Sequence, residues 1–267
     1  MQLLNFPPDH HPTDFLPMIR SILLFGSWLL TTNLFAQKIL SHNDYAQSRP
    51  FTAAYEQRAD YIEADVWVQN GKLVVTHDKP EVLAPTLDSL YLTPIAALFS
   101  QYTDKVSPVR DYTFSLVIDV KDVASDVLPK LITALQERLP CFNRSANAKA
   151  VQIIISGNRP KIDTFLDYPL LIQFDGRPSE VYDEETLKRV ALISDNFQSY
   201  SRWDGNGDLP DADRDKLKRV IKRAHSDNKP FRFWGTPDTP NAWKQLRKLG
   251  IDIISTDKVA EAVQAIR

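Results

Sequence analysis

Two histidines and a close pair of carboxylates set the chemistry this chain can attempt. His42 follows a short apolar run, Glu63 and Asp65 lie inside a second run, and His77 closes a third. Imidazole titrates near neutral pH, so both histidines can take up or release protons under physiological conditions. Glu63 and Asp65 are two residues apart, as are Asp119 and Lys121 further along. On a strand that spacing turns both side chains to one face. Carboxylates crowded inside a fold repel one another and lose hydration unless a cation lies between them. Glu63, Asp65 and Asp119 offer hard oxygen ligands for one divalent cation, Mg²⁺ or Ca²⁺, rather than for zinc, which prefers nitrogen and sulfur. The competing explanation is plain ion pairing, of Glu63 or Asp119 with Lys121 or Arg177.

The elements that must position these groups are short apolar runs alternating with helical stretches. Strands are expected at 38–41, 61–68, 72–76, 114–120, 151–155, 170–174, 191–194, 231–234 and 252–255. They are rich in Val, Ile, Leu and Phe with little period-two alternation, as strands buried on both faces are. Helices are expected at 50–58, 127–138, 184–190, 213–225 and 241–249. Gly71 is placed to turn a hairpin between the second and third runs. Setting that hairpin aside leaves eight β-then-α units, which predicts an α/β fold of the closed (β/α)₈ TIM-barrel type. A doubly wound open sheet is the alternative, but no Gly-rich loop follows the first strand. In a barrel the strand ends carry function, and nearly every strand here ends in polar groups, among them Asn158, Arg177 and Asp257.

Composition narrows the partners. A net charge of −2 gives no general attraction to nucleic acid, and the single cysteine, Cys141, excludes a disulfide framework. Residues 1–36 differ from the rest: Arg20, an apolar stretch over 22–30 and a small residue, Ala36, at the cut have the layout of a secretory leader. The stretch is shorter than the roughly 20 residues of a membrane span. The expectation is a start at Met18, a cut after Ala36, a secreted or periplasmic barrel over 37–267, and no membrane span after processing; an uncleaved anchor is the alternative. Asp204, Asn206 and Asp208 occupy the first three ligand positions of a calcium loop. Leu209 stands where that loop needs glycine and Asp215 where it needs glutamate, so a polar βα loop is preferred. His225, on a charged helix, reads as a solvated surface residue.

Ser41-His42-Asn43-Asp44-Tyr45, Ile62-Glu63-Ala64-Asp65-Val66-Trp67, His77-Asp78 and Ile118-Asp119-Val120-Lys121 together resemble the glycerophosphodiester phosphodiesterase-like, or PLC-like phosphodiesterase, superfamily. Within it the sequence is most similar to the branch called altered inheritance of mitochondria protein 6-like. The resemblance also takes in Ser156-Gly157-Asn158, Asp175-Gly176-Arg177, Arg232-Phe233-Trp234 and Ser255-Thr256-Asp257. It implies a TIM barrel that cleaves a small-molecule or lipid phosphodiester with one divalent cation. Glu63, Asp65 and Asp119 would hold the metal, and His42 and His77 would be the acid–base pair. Asn43, Lys121, Asn158, Arg177 and Trp234 would contact substrate, Lys121 at the phosphate. The typical glycerophosphodiesterase has His-Arg where this chain has His42-Asn43, and glutamate where it has Asp119. The Asp-x-Lys arrangement is closer to the sphingomyelinase D-like branch, so the alcohol stays open. Two other readings are a non-catalytic barrel that binds phosphate-bearing head groups and a glycosidase. For the latter, Glu63 and Asp65 on one strand lie too close together.

Overall fold

The computed structural model describes residues 37–267. The expected leader in residues 1–36 lies outside them. Nine strands form one sheet: β1 (Lys38–Ser41), β2 (Tyr61–Gln69), β3 (Lys72–Val75), β4 (Ser115–Val120), β5 (Gln152–Gly157), β6 (Ile172–Gly176), β7 (Val190–Asn196), β8 (Phe231–Trp234) and β9 (Ile253–Thr256). All but β3 run parallel, in the order β1-β9-β8-β7-β6-β5-β4-β2, and β1 pairs with β2 to close the ring. The expected (β/α)₈ barrel is therefore present, and its closure excludes the open sheet.

β3 is the exception. It runs antiparallel to β2, with Gln69 opposite Lys72 across Asn70-Gly71. Both turn residues have positive φ, 50° and 77°, as an Asn-Gly hairpin turn requires. Residues 61–66 of β2 pair with β4 while 66–69 pair with β3, so the hairpin stands above the carboxyl rim of the barrel.

The outer layer consists of α1 (Thr52–Glu56), α2 (Thr93–Gln101), α3 (Ala124–Gln136), α4 (Leu139–Phe142), α5 (Glu184–Lys188), α6 (Asp211–Ser226), α7 (Pro240–Leu249) and α8 (Val259–Ile266). One of the eight expected units departs from the pattern: a 3₁₀ turn, Ile162–Asp167, connects β5 to β6 in place of an α-helix. Pro160 and Pro169 leave only residues 161–168 between them, too few to fit a longer helix between two breakers. The strand expected at 170–174 begins two residues later, because a turn closed by the Ile172 amide on the Pro169 carbonyl takes up its start. Among the described residues no helix is long and apolar enough to cross a membrane.

Strand alternation sorts the side chains into two cores. Ile39, Ile62, Ile118, Ile155 and Ile254 face outward and pack under the helices in the main apolar cluster. Leu40, Tyr61, Val117, Ile154, Leu192 and Ile253 form a second, separate cluster that plugs the barrel interior. Two residues further along those same strands stand His42, Glu63, Asp119, Ser156, Ser194 and Ser255. The interior therefore changes from hydrocarbon to polar within one pleat repeat, and the polar layer opens at the carboxyl rim.

Gly157, at the end of β5, is required by close approach. Its φ is +67°, and a Cβ there would fall 1.9 Å from Asp119 Oδ1 and 2.5 Å from the Val120 carbonyl oxygen. Gly157→Ala is expected to cost about 2 kcal/mol or more, from backbone strain and the clash together. A lower urea midpoint at unchanged m-value is the expected result; an unchanged midpoint would refute the steric account.

Candidate active site

The floor of the mouth is a buried charge cluster centred on Arg232 of β8. Its Nη2 lies 3.3 Å from Glu63 Oε1 of β2 and 3.3 Å from Asp175 Oδ2 of β6. All three side chains are buried. Asp175 also accepts hydrogen bonds from Ser156 Oγ (2.8 Å) and Ser194 Oγ (2.7 Å), and Arg177 Nη1 lies 3.2 Å from its other oxygen. Burial alone would push the Asp175 carboxyl up. Arg177, Arg232 and the two serine hydroxyls outweigh it and hold the group below the usual carboxylate range. For Glu63 burial wins over Arg232 and His42, and its carboxyl is raised.

Above the floor, Lys121 Nζ sits 2.8 Å from Asp119 Oδ2 and 3.1 Å from Asp65 Oδ2. Asp65 is raised by burial and by the neighbouring Asp119 charge, against the pull of Lys121 and the Tyr45 hydroxyl. That hydroxyl lies 2.9 Å from both Asp65 Oδ2 and Asn43 Oδ1. His77 Nδ1 is 3.2 Å from the same Asp65 oxygen, and its ring is largely exposed. On the other side of the mouth His42 Nδ1 donates to Asp257 Oδ1 at 2.8 Å, and its Nε2 is 3.8 Å from Glu63 Oε2. Burial opposes a charged His42, but the Asp257 hydrogen bond and the nearby carboxylates prevail, and the imidazole is raised above its ordinary value.

The loop that carries His42 is fixed from below by Asp44, which is fully buried. Asp44 accepts from Ser41 Oγ and Tyr91 OH, both at 2.9 Å, and from the Phe51 amide. Asn43 takes a left-handed conformation, φ 47°, so that the chain can turn between the imidazole above and the buried carboxylate below.

All the residues expected from sequence lie at the carboxyl rim or just inside it, in different roles. Glu63, Asp65, Asp119, Lys121, His42 and His77 converge. Asn158 donates to the Lys121 carbonyl (3.0 Å), so its amide braces the β4 loop. Arg177 is turned inward onto Asp175 and Ser194. Trp234 ends β8 partly exposed. Asn158, Arg159, Lys161, Arg177 and Glu180 line an open cleft of about 610 Å³ beside the mouth. Of the simple pairings weighed, Asp119 does meet Lys121, whereas Glu63 meets Arg232 and not Lys121 or Arg177. The loop carrying Asp204 follows β7 and is fastened to α7. Asn241 Nδ2 donates to the Gly205 and Gly207 carbonyls at 2.8 Å, and Asp204, the first ligand position, already accepts from the Asn206 amide and Nδ2 at 3.0 Å. His225 is not simply solvated, since its Nε2 lies 2.7 Å from Asp252 Oδ2.

Sequence reasoning did not assign roles to Arg232, Asp257, Tyr45 and Asp44. All four stand within the motifs that carry the family resemblance, and that membership was the available signal.

Among the described residues no three acidic, imidazole or thiol groups stand as a ready-made metal cluster, because Lys121 occupies the space between Asp65 and Asp119. The donor chemistry nevertheless fits a hard divalent cation. Glu63 Oε2 and Asp119 Oδ1 are buried with no hydrogen-bond partner. Around them, Glu63, Asp65, Asp119 and Asp175 are met by three fixed cations, Lys121, Arg177 and Arg232, and by the rings of His42 and His77.

A closed barrel with this mouth has the frame of a phosphodiesterase-type TIM barrel, and solved structures share it. A glycerophosphodiester phosphodiesterase from Parabacteroides distasonis superposes with a TM-score of 0.56 at 15% identity, covering 86% of this chain and 97% of that one. One from Agrobacterium tumefaciens gives 0.52 at 15% identity over 85% and 99%. Residues 29–164 match the AIM6-like phosphodiesterase domain, and the chain belongs to that family. Residues 230–260, which contain Arg232, match the glycerophosphoryl diester phosphodiesterase family. Similar proteins include altered inheritance of mitochondria protein 6 of Eremothecium gossypii, 25% identical over 82% of this chain and 67% of that protein. Its counterpart in Candida glabrata is 23% identical over 87% and 72%.

The floor cluster yields a pH test. A carboxyl depressed in the folded state stabilises the fold at pH values above its unfolded pKa of about 3.9, and that stability is lost as pH falls through the folded value. Asp175→Asn is expected to cost about 3 kcal/mol at pH 7, since it leaves Arg232 and Arg177 short of a partner. The gap to wild type should narrow as pH drops below about 4. Urea unfolding of both proteins from pH 7 to pH 2.5 measures it; a gap constant with pH would refute the charged state of Asp175.

Proposed function

We propose that this chain is a metal-dependent phosphoric diester hydrolase, with His42 as general acid and His77 as general base. The observation that carries the reading is the convergence of both imidazoles, Lys121 and the carboxylates of Glu63, Asp65 and Asp119 at one barrel mouth. Glu63, Asp65 and Asp119 would hold the cation, with Glu63 Oε2 and Asp119 Oδ1 as free oxygens. When bound, it supplies positive charge to the phosphate oxygens. Lys121 adds a second positive charge at the same place, on a side chain already directed to the mouth. Asn43, next to His42, can donate a hydrogen bond to a phosphate oxygen.

The proton accounting follows from the partners of the two rings. Cleavage forms one P–O bond and breaks another. The attacking hydroxyl loses a proton and the departing alkoxide gains one. His42 is suited to give the proton: Asp257 fixes its Nδ1–H and favours the imidazolium, leaving Nε2 as the donor toward the cavity. His77 is suited to receive one, with Asp65 and Tyr45 orienting Nδ1 and most of the ring open to the mouth.

Calorimetric titration with Mg²⁺ and Ca²⁺ tests the metal assignment. Wild type should bind one ion per chain, and Glu63→Gln and Asp119→Asn should each abolish binding; unchanged affinity in both variants would overturn it. Phosphodiester hydrolysis assayed with and without the ion tests the activity.

The histidine roles are separable by leaving group and by pH. With an alkyl leaving group, His42→Ala and His77→Ala should each lose about 10² to 10⁴ in rate. With nitrophenol, which departs unprotonated, His42→Ala should lose far less than His77→Ala. Asp257→Asn removes the charge that favours the imidazolium, so the alkaline limb of kcat/KM should move to lower pH. Equal losses with both leaving groups would reverse or remove the assignment.

A further inference from the structure

His42 is fixed by Asp257, but packing does not fix Asp257. Its side chain is 51% exposed, and it follows the last residue of β9, where the chain leaves the sheet. An exposed aspartate changes rotamer readily unless its backbone is held. A proton donor displaced by about 1 Å from a leaving oxygen loses much of its effect. What holds this residue is a pair of bonds to its own peptide groups. The Asp257 amide donates to Asp238 Oδ2 at 3.0 Å, and its carbonyl accepts from Gln47 Nε2 at 2.9 Å. Asp238 belongs to the loop between β8 and α7, and Gln47 to the loop between β1 and α1. The residue is therefore secured from both neighbouring loops.

Asp238 is itself immobilised. Its other oxygen, Oδ1, accepts from Trp243 Nε1 at 3.0 Å, and that indole is fully buried on α7. The next residue, Thr239, caps the same helix by accepting from the Ala242 amide at 3.2 Å. A carboxylate that takes one N–H on each oxygen bonds more strongly than a neutral acceptor and has little freedom left. A chain of contacts thus runs from the helical layer to the imidazole: Trp243 to Asp238, Asp238 to the Asp257 amide, and Asp257 Oδ1 to His42 Nδ1 at 2.8 Å. We infer, resting on the phosphodiesterase reading above, that Asp238 is a positioning residue for the general acid: through Asp257 it directs His42 Nε2 at the departing oxygen. A purely structural Asp238, joining α7 to the loop after β9, would affect every substrate alike. A positioning Asp238 affects only those whose leaving group needs a proton.

The test uses the full chain with Mg²⁺ and two probes: glycerophosphocholine, whose alkyl leaving group needs a proton, and bis(p-nitrophenyl) phosphate, whose leaving group does not. On the first, Asp238→Ala should lose about tenfold or more in kcat with KM within about twofold; on the second, kcat should stay within about twofold. Asp238→Asn, which keeps the size of the side chain and guards against a folding failure, should show the same selectivity, since one amide oxygen cannot serve both donors. In an Asp257→Ala background Asp238→Ala should cost no further kcat, because the two act in series. A substrate-free arm follows hydrogen exchange by NMR. The Asp257 amide and the His42 Nδ1–H should each exchange at least about tenfold faster in Asp238→Ala than in wild type. Equal losses on both probes, an additive loss in the Asp257→Ala background, or exchange at His42 that is unchanged or already unprotected in wild type would each overturn the proposal. If wild type cleaves neither probe, the phosphodiesterase reading falls; if it cleaves only the nitrophenyl ester, that reading stands. In both cases exchange at His42 decides the positioning role.

Discussion

Arg232 places its guanidinium between Glu63 and Asp175 where almost no water reaches, and the interior of the barrel depends on that arrangement. A buried ion cluster of this kind is seldom a net source of stability, because desolvation offsets most of the attraction. Its effect is on placement. Removing one partner would leave an uncompensated charge at a cost of about 3–5 kcal/mol, so β2, β6 and β8 are held to one mutual register. Glu63 is thereby presented at the base of the mouth with one oxygen occupied by Arg232 and the other free.

The layers above follow from that floor. Below it the apolar plug excludes water; above it Asp65, Asp119 and Lys121 form a partly solvated pairing that a substrate or ion can rearrange. Charge is most constrained at the bottom and least at the rim, where His77 is largely exposed. Asp44 does for the β1 loop what Arg232 does for the strands. Its three hydrogen bonds fix the backbone beside His42, so the imidazole has only its ring rotation left to settle, and Asp257 settles it.

The chemistry-bearing residues were legible because strand geometry is local. Glu63 with Asp65, and Asp119 with Lys121, share a face by virtue of two-residue spacing alone. The eight-strand count and the Asn-Gly hairpin were equally readable. The 3₁₀ connection between β5 and β6 was not foreseen, although both of its bounding prolines were in view.

What the sequence by itself determined is therefore the period and type of each strand, and with them which side chains could enter the barrel. Only the tertiary structure decided who meets whom. Glu63 and Arg232 are 169 residues apart, and His42 and Asp257 are 215. Neither contact exists until β1 closes on β2 and β9, because only closure brings the first and last strands side by side and turns a list of strand ends into a ring. Pairing of charges also depends on which ones lose water, and burial is a property of the assembled barrel, not of any segment of the chain.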